Sequence, residues 1–465
     1  MSKLERERLH WKHKLVPELV RLAWPISVSM LSHSVMSLAD TLFVGWLGAS
    51  ALAAVGLGGV ATFTLFCFGW GLMRAVKVLV SQCSGAGEHG LVPAYIGAGV
   101  GLALAVGALM AAGGWLLSIP LPAVASDEQA GELGAAYFRV RVLGAPLFLL
   151  AGALSEARQG LGDSRSPMLA EVVANGVNVA LDPLFVFVLG LGVPGAAWAT
   201  LCAYVVSAGL MLRVQLRRGP APSMPGRAAL RDVLRMGLPL GVQFVLEVGS
   251  FAVLVAILAR VSAVDLAAHQ VALQLVHFSF LPALALGEAA SVLIGQAVGA
   301  GEDNLVRRVA GRALWLAAAY TGACAVAFVA AAEAFARCFS EDPAVVALTV
   351  RLLYVAAAFQ VFDGANIIAR CALRGAGDVR YAAVVSVVVA WVCTPPLTWW
   401  LGVELGYGAV GGWLGIFVEI VVGVGLLWHR LERGRWQSAA RRSREALTSR
   451  RREAASASPQ PAAAG

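Results

Sequence analysis

The chain has 465 residues, 59% hydrophobic and 14% charged, with 51 glycines and a formal net charge of +8. So few charges exclude an ordinary soluble enzyme, and so much apolar content excludes a disordered chain, because disorder needs the reverse balance. What remains is an all-α polytopic membrane protein whose basic residues serve topology, with no nucleic-acid partner expected.

Apolar runs of about 20 residues predict membrane-crossing helices, the structure lipid requires of an open chain. Twelve are expected, at 18–43, 52–82, 91–119, 129–153, 166–190, 194–216, 233–260, 266–297, 305–333, 343–369, 379–402 and 408–429. The first is no cleaved signal peptide: it is too long, carries Asp40 and lacks a small-residue cleavage site. Seven cysteines form no CxxC and no Cys/His spacing, so neither a metal site nor a disulfide framework is expected. Lysine and arginine crowd one set of loops and both ends of the chain, while the opposite loops hold only Arg260 and Arg337. This asymmetry predicts a multi-pass protein of the inner (cytoplasmic) membrane with both termini cytoplasmic.

The expected organisation is a cytoplasmic segment 1–16, a first lobe 17–216, a linker 217–231, a second lobe 232–430 and a tail 431–465. Gly219, Pro220, Pro222 and Pro225 mark the linker. The tail is rich in Arg, Ala and Ser without an apolar stripe, and is expected to be a disordered, solvated basic segment.

The two lobes repeat one another. RLAWPISVSM (21–30) aligns with RMGLPLGVQF (235–244), an offset of 214 that places Pro25 on Pro239 and Gln82 on Gln296. It also places Gly85, Gly87 and Glu88 on Gly299, Gly301 and Glu302. Six spans followed by six in parallel orientation predict two pseudo-symmetric six-helix lobes with a site between them.

Seven acids fall inside predicted spans: Asp40, Glu171, Asp182, Glu247, Glu288, Asp363 and Glu419. Each is costly in lipid, so each is expected to serve a pathway or a pairing. Asn175, Asn178 and Asp182 share one face of the fifth span, and Pro183 frees a backbone carbonyl beside them. With Asp40 they suit either a Na⁺ cage or a proton acceptor. In the second lobe Gln243 and Glu247 stand at i, i+4, and Asp363 and Asn366 at i, i+3. No partner is evident for Glu419. No Walker A run exists, so nothing suggests drive by ATP.

The ordered set ADTLFVGWLGASALAAVGLG (39–58), SQCSGAGE (81–88), ARQGLGDSRSP (157–167), LAAHQVALQL (266–275), IGQAVGAGE (294–302) and CALRGAGD (371–378) resembles multidrug and toxic compound extrusion (MATE) transporters. The resemblance covers about residues 17–430 and implies secondary antiport: organic molecules leave as Na⁺ or H⁺ enters. It implies a first-lobe cation site of Asp40, Asn178, Asp182 and Thr200, accompanied by Tyr137 in the branch resembling DNA-damage-inducible transporters. FVLEVGSFAVL (244–254) and FQVFDGANIIARCALRG (359–375) resemble the NorM-type branch, where Glu247 and Asp363, with Gln243 and Asn366 beside them, would hold cation or substrate. Features of both branches leave Na⁺ versus H⁺ open.

Helix 2 departs from the family pattern at Arg74 and Lys77, where small neutral residues are usual. The repeat offset carries Arg74 onto Glu288, so the two are pseudo-symmetry mates on spans 2 and 8. In the family those spans border the cleft. An Arg74–Glu288 ion pair is therefore expected as an inter-lobe gate closing the cytoplasmic side, with Lys77 one turn nearer the cytoplasm as a spare.

The reading is a non-enzymatic antiporter that needs no cofactor beyond its coupling ion, works as a monomer in lipid, and exports organic molecules, cationic and amphiphilic by default. The alternative is a lipid-linked saccharide flippase of the same superfamily.

Overall fold

The structure, a computed structural model, describes residues 9–125 and 127–457. The first half holds α1 (Leu15–Gly45), α2 (Ala49–Ala86), α3 (Val92–Leu117), α4 (Glu128–Leu143), α5 (Ala145–Gly160), α6 (Arg165–Pro183) and α7 (Val193–Arg218). The second holds α8 (Arg227–Val261), α9 (Ala263–Gly299), α10 (Asp303–Ala330), the short α11 (Ala332–Arg337), α12 (Pro343–Gly375), α13 (Val379–Leu397), α14 (Gly408–Glu432) and α15 (Gln437–Ala457). Among the described residues eleven helices are long and apolar enough to cross a membrane; the α4–α5 pair, bent by 47°, makes the twelfth crossing. The bend falls where Gly144 and Pro146 interrupt the backbone ladder. All twelve expected spans are present.

The repeat is visible in details that composition hides. Pro25 and Pro239 lie inside α1 and α8. Both α6 and α13 carry proline in their last turn, Pro183 and Pro395–Pro396, and widen into a π-helical turn, at Leu184–Val188 and Thr398–Glu404.

Burial along α2 and α9 shows how the lobes meet. Residues 71–83 of α2 and 287–298 of α9 are buried on every side, whereas their other halves are buried only in part. The fully buried halves lie toward the chain termini and carry the inter-lobe contacts. Small residues permit the close approach. A Cβ on Gly85 would collide with the Gln296 carbonyl, and one on Gly299 with the Gln82 carbonyl. Gly71, Gly237 and Gly241 also bring α2 close to α8, where a Cβ would lie 2.6–2.7 Å from the facing carbonyl. The Gln82 side-chain amide donates to the Gly375 carbonyl of the opposite lobe at 3.1 Å, and Trp11 Nε1 donates to Gln296 Oε1 at 2.7 Å. The lobes are thus sealed on the side of the termini, whereas the other halves of α2 and α9 are buried only in part.

The tail is corrected. Residues 437–457 form α15 instead of a disordered segment, while 458–465 lie outside the described residues. A stripe does exist: Trp436, Ala440 and Leu447 are buried, at spacings of four and seven. The arginines between and beyond them mask it in any average. They are held by acids remote in sequence: Arg444 by Asp303 at 2.7 Å, Arg450 by Asp232 at 3.0 Å and Arg451 by Glu88 at 3.0 Å. Since Glu88 follows α2 and Asp303 opens α10, α15 spans both lobes. The linker is also shorter than expected, 219–226, because the apolar positions of α8 carry its helix back to Arg227.

Leu447→Glu is expected to free α15, since an unpaired carboxylate there costs several kcal/mol and removes the leucine's burial of about 2 kcal/mol. Tryptic cleavage after Arg450 and Arg451 should accelerate at least ~tenfold, as expected when the opened state is the one cut. An unchanged digestion rate would show that the helix is not held by this contact.

Candidate functional site

The first-lobe set converges. Asp40 on α1 and Asp182 at the end of α6 are 5% and 0% exposed. With its amide turned to satisfy both neighbours, Asn178 donates to Asp40 Oδ1 at 2.8 Å and accepts from the Thr200 backbone N–H at 3.2 Å. Thr200, on α7, donates its hydroxyl to the Ala196 carbonyl at 3.0 Å. Asn175 ties α6 to α1 by donating to Ser32 Oγ at 2.9 Å. The Asp40 and Asp182 carboxyls are within hydrogen-bonding contact of one another. Neither oxygen of Asp182 meets a donor among the described residues. Tyr137 is buried on α4 beside this group.

Arg141 is the member that sequence reasoning missed. It stands one turn from Tyr137 on α4, with its guanidinium 5.7 Å from the Tyr137 ring centroid and 5.5 Å from that of Tyr204. Its charge acts on both Asp40 and Asp182. The signal was present: an arginine inside a span, at i+4 from a proposed site residue, requires a counter-charge.

The second-lobe set converges in part. Gln243 donates to Glu247 at 3.0 Å, and Arg370 donates to the same carboxylate at 3.0 Å. Arg370 falls just beyond the expected tenth span, 343–369, but lies inside α12. Asp363 lies within the electrostatic reach of Arg370. Asn366 Oδ1 is buried without a donor among the described residues, and no hydrogen bond joins it to Asp363. Glu419 finds a partner the sequence did not reveal: the Thr394 hydroxyl donates to it. This lobe therefore gathers three carboxyls about one guanidinium. His269 Nδ1 accepts from Trp413 Nε1 at 3.1 Å and belongs to the packing of α9 on α14.

Between the lobes lies a buried charge cluster. Arg74 Nη1 is 2.9 Å from Glu288 Oε1, so the symmetry mates do meet. Lys77 is no spare: its Nζ is 2.6 Å from Glu288 Oε2 and 2.7 Å from Glu156 Oε2. Arg374, also beyond the expected tenth span, donates to Glu288 at 2.7 Å from within α12. Arg74 also lies over the rings of Trp70 and Phe244, at 4.9 and 4.6 Å. Arg74, Lys77 and Glu288 are all at most 3% exposed. Glu156 and Arg374 were missed because each partners a charge brought close only by the fold.

Twelve spans in two like halves, each with buried ionisable side chains, define a two-lobe membrane transporter. The MatE family profile matches residues 25–184 and 239–400, one stretch in each lobe, and the chain belongs to that family. Members of this family are transporters, not enzymes. A "Probable multidrug resistance protein NorM" of Deinococcus radiodurans is 33% identical over 434 residues, covering 90% of this chain and 96% of that one. One of Bradyrhizobium diazoefficiens, with the same description, is 31% identical over 428 residues, 88% of this chain and 91% of that one. A solved multidrug resistance MATE family transporter in an outward-facing conformation superposes with a TM-score of 0.85 at 22% identity, over 94% of this chain and 99% of that one. A eukaryotic MATE transporter does so with a TM-score of 0.86 at 19% identity, again over 94% and 99%. At these identities the structures speak for the fold.

Proposed function

We propose that this transporter exports cationic, amphiphilic organic molecules in exchange for protons by alternating access. The observation that carries this reading is the first-lobe cage, where two carboxyls in mutual contact face one guanidinium. Asp40 and Asp182 against Arg141 leave a single negative charge, which one monovalent cation neutralises. A proton suits the contact between the carboxyls, since like charges so close cannot both stay ionised. A bulkier Na⁺ would have to share the cage with Arg141. The proton must favour one lobe arrangement over the other to move the equilibrium at all. The second lobe, with Glu247, Asp363 and Glu419 about Arg370, keeps an excess of negative charge that attracts an organic cation. That excess also speaks against an anionic saccharide lipid as cargo. The sealed side then corresponds to the cytoplasm, with both termini there, and the opposite side to the exterior. One chain supplies both lobes, so a monomer suffices.

The test is dye efflux by the purified chain in liposomes under one imposed gradient at a time. A pH gradient alone should drive export of a cationic dye, and Glu247→Gln/Asp363→Asn should slow the cationic dye more than a neutral one. Drive by a Na⁺ gradient at equal pH would overturn proton coupling. Equal losses for both dyes would overturn the assignment of the second-lobe acids.

A further inference from the structure

At the terminal-side end of the second lobe, Arg227, Arg231 and Arg235 stand at i, i+4 and i+8 on α8, and Arg380 opens α13 beside them. With Leu230 and Leu234 they line an open surface pocket of about 610 Å³. All four arginines are exposed, and none has a carboxylate within ion-pair distance among the described residues. Several other arginines of the chain do find partners. Arg158, Arg370, Arg374, Arg430, Arg444 and Arg450 each hold an acid. Asp232, next to Arg231 in sequence, points elsewhere, to Arg450 and Tyr95.

What continues from the pocket decides its occupant. Along α8 the arginine face runs on through Leu238, Val242 and Leu246, all exposed and turned away from Gln243 and Glu247. Along α13 Arg380 is followed by Val384, Val388, Trp391 and Val392, also exposed. The two stripes flank one groove, bridged where Trp391 Nε1 donates to the Leu246 carbonyl at 3.0 Å. From Arg235 to Leu246 the helix rises about 16 Å, roughly half the hydrocarbon core. A cationic pocket at the interface above an apolar groove one leaflet deep complements a phosphate headgroup and its acyl chain. The positive-inside rule requires basic residues on this side, but it does not require them to converge, unpaired, from helices some 145 residues apart.

We propose that the α8–α13 pocket is a binding site for one anionic phospholipid, its phosphate held by Arg231, Arg235 and Arg380 and its chain laid in the groove. The test uses the full-length chain in phosphatidylcholine nanodiscs containing a minor share of phosphatidylglycerol, with retained lipid counted by native mass spectrometry. Wild type should retain one phosphatidylglycerol per chain in preference to phosphatidylcholine. Arg231→Gln/Arg235→Gln should weaken that preference about thirtyfold, at roughly fivefold per arginine near the surface. Leu230→Glu leaves every topogenic arginine in place and should also abolish it, which guards against a variant that merely misinserts. Arg307→Gln/Arg308→Gln, on the same side but outside the pocket, should leave it intact. Unchanged retention in the pocket variants, or an equal loss in the Arg307/Arg308 control, would overturn the proposal. So would displacement by millimolar glycerol 3-phosphate, which would make the pocket a soluble-phosphate site.

Discussion

Glu288→Gln should unlock the terminal side of the transporter. In the closed arrangement Glu288 meets Arg74, Lys77 and Arg374 within 2.9 Å, and all but the glutamine's polarity is lost on substitution. Three buried cations would then face Glu156 alone. Breaking a buried ion pair by removing one partner costs about 3–5 kcal/mol, which corresponds to a shift of about two to nearly four powers of ten in the closed–open equilibrium. The native arrangement opens far more easily, because each lobe keeps part of the network: Lys77 stays with Glu156, and Glu288 stays with Arg374. Only Arg74 must find water, with Trp70 of its own helix still beneath it. The readout is maleimide labelling of Ser81→Cys in a cysteine-free background, since Ser81 is buried against Gly295 of the other lobe. Labelling should accelerate strongly in Glu288→Gln. Adding Arg74→Met should reverse part of the effect, with a coupling of about 0.5–3 kcal/mol expected for groups in one network. A simple exchange of charges between positions 74 and 288 should not restore function, because it would set an arginine beside Arg374 and Lys77. If Glu288→Gln labels at the native rate, the cluster does not gate.

Asp40→Asn should abolish the gradient-driven part of efflux while leaving the protein folded in the membrane. The asparagine can still accept the hydrogen bond from Asn178, so the α1–α6 contact survives. What disappears is the charge difference. Asp182 alone balances Arg141, and the cage no longer requires a cation. Without differential binding of the ion there is no coupling free energy to pass on to substrate. Purified Asp40→Asn protein should still bind dye but should export it no faster with an imposed gradient than without one. Gradient-driven export at the native rate would remove Asp40 from the mechanism.

Much of this was legible in the chain itself. The twelve spans follow from apolar run length, and the two lobes from one repeat offset. The Asp40, Asn178, Asp182 constellation follows because any acid in lipid announces itself by its cost. The Arg74–Glu288 pair was reachable because pseudo-symmetry converts a distance in sequence into a meeting at an axis. Residues that act through a partner were not legible. Arg141 joins the cage only because α4 packs against α2 and α7, and Glu156, Arg370 and Arg374 read as ordinary helix-end charges until helix packing brings Lys77, Glu247 and Glu288 to them. The same holds for α15, whose buried stripe of Trp436, Ala440 and Leu447 is diluted by arginines that only remote acids neutralise. Composition, periodicity and internal repetition are properties of a chain and fix which segments enter the membrane and which charges need a reason to be there. Which charge supplies that reason depends on helix packing, since an ion pair forms over a few ångströms between residues that the chain holds hundreds of positions apart.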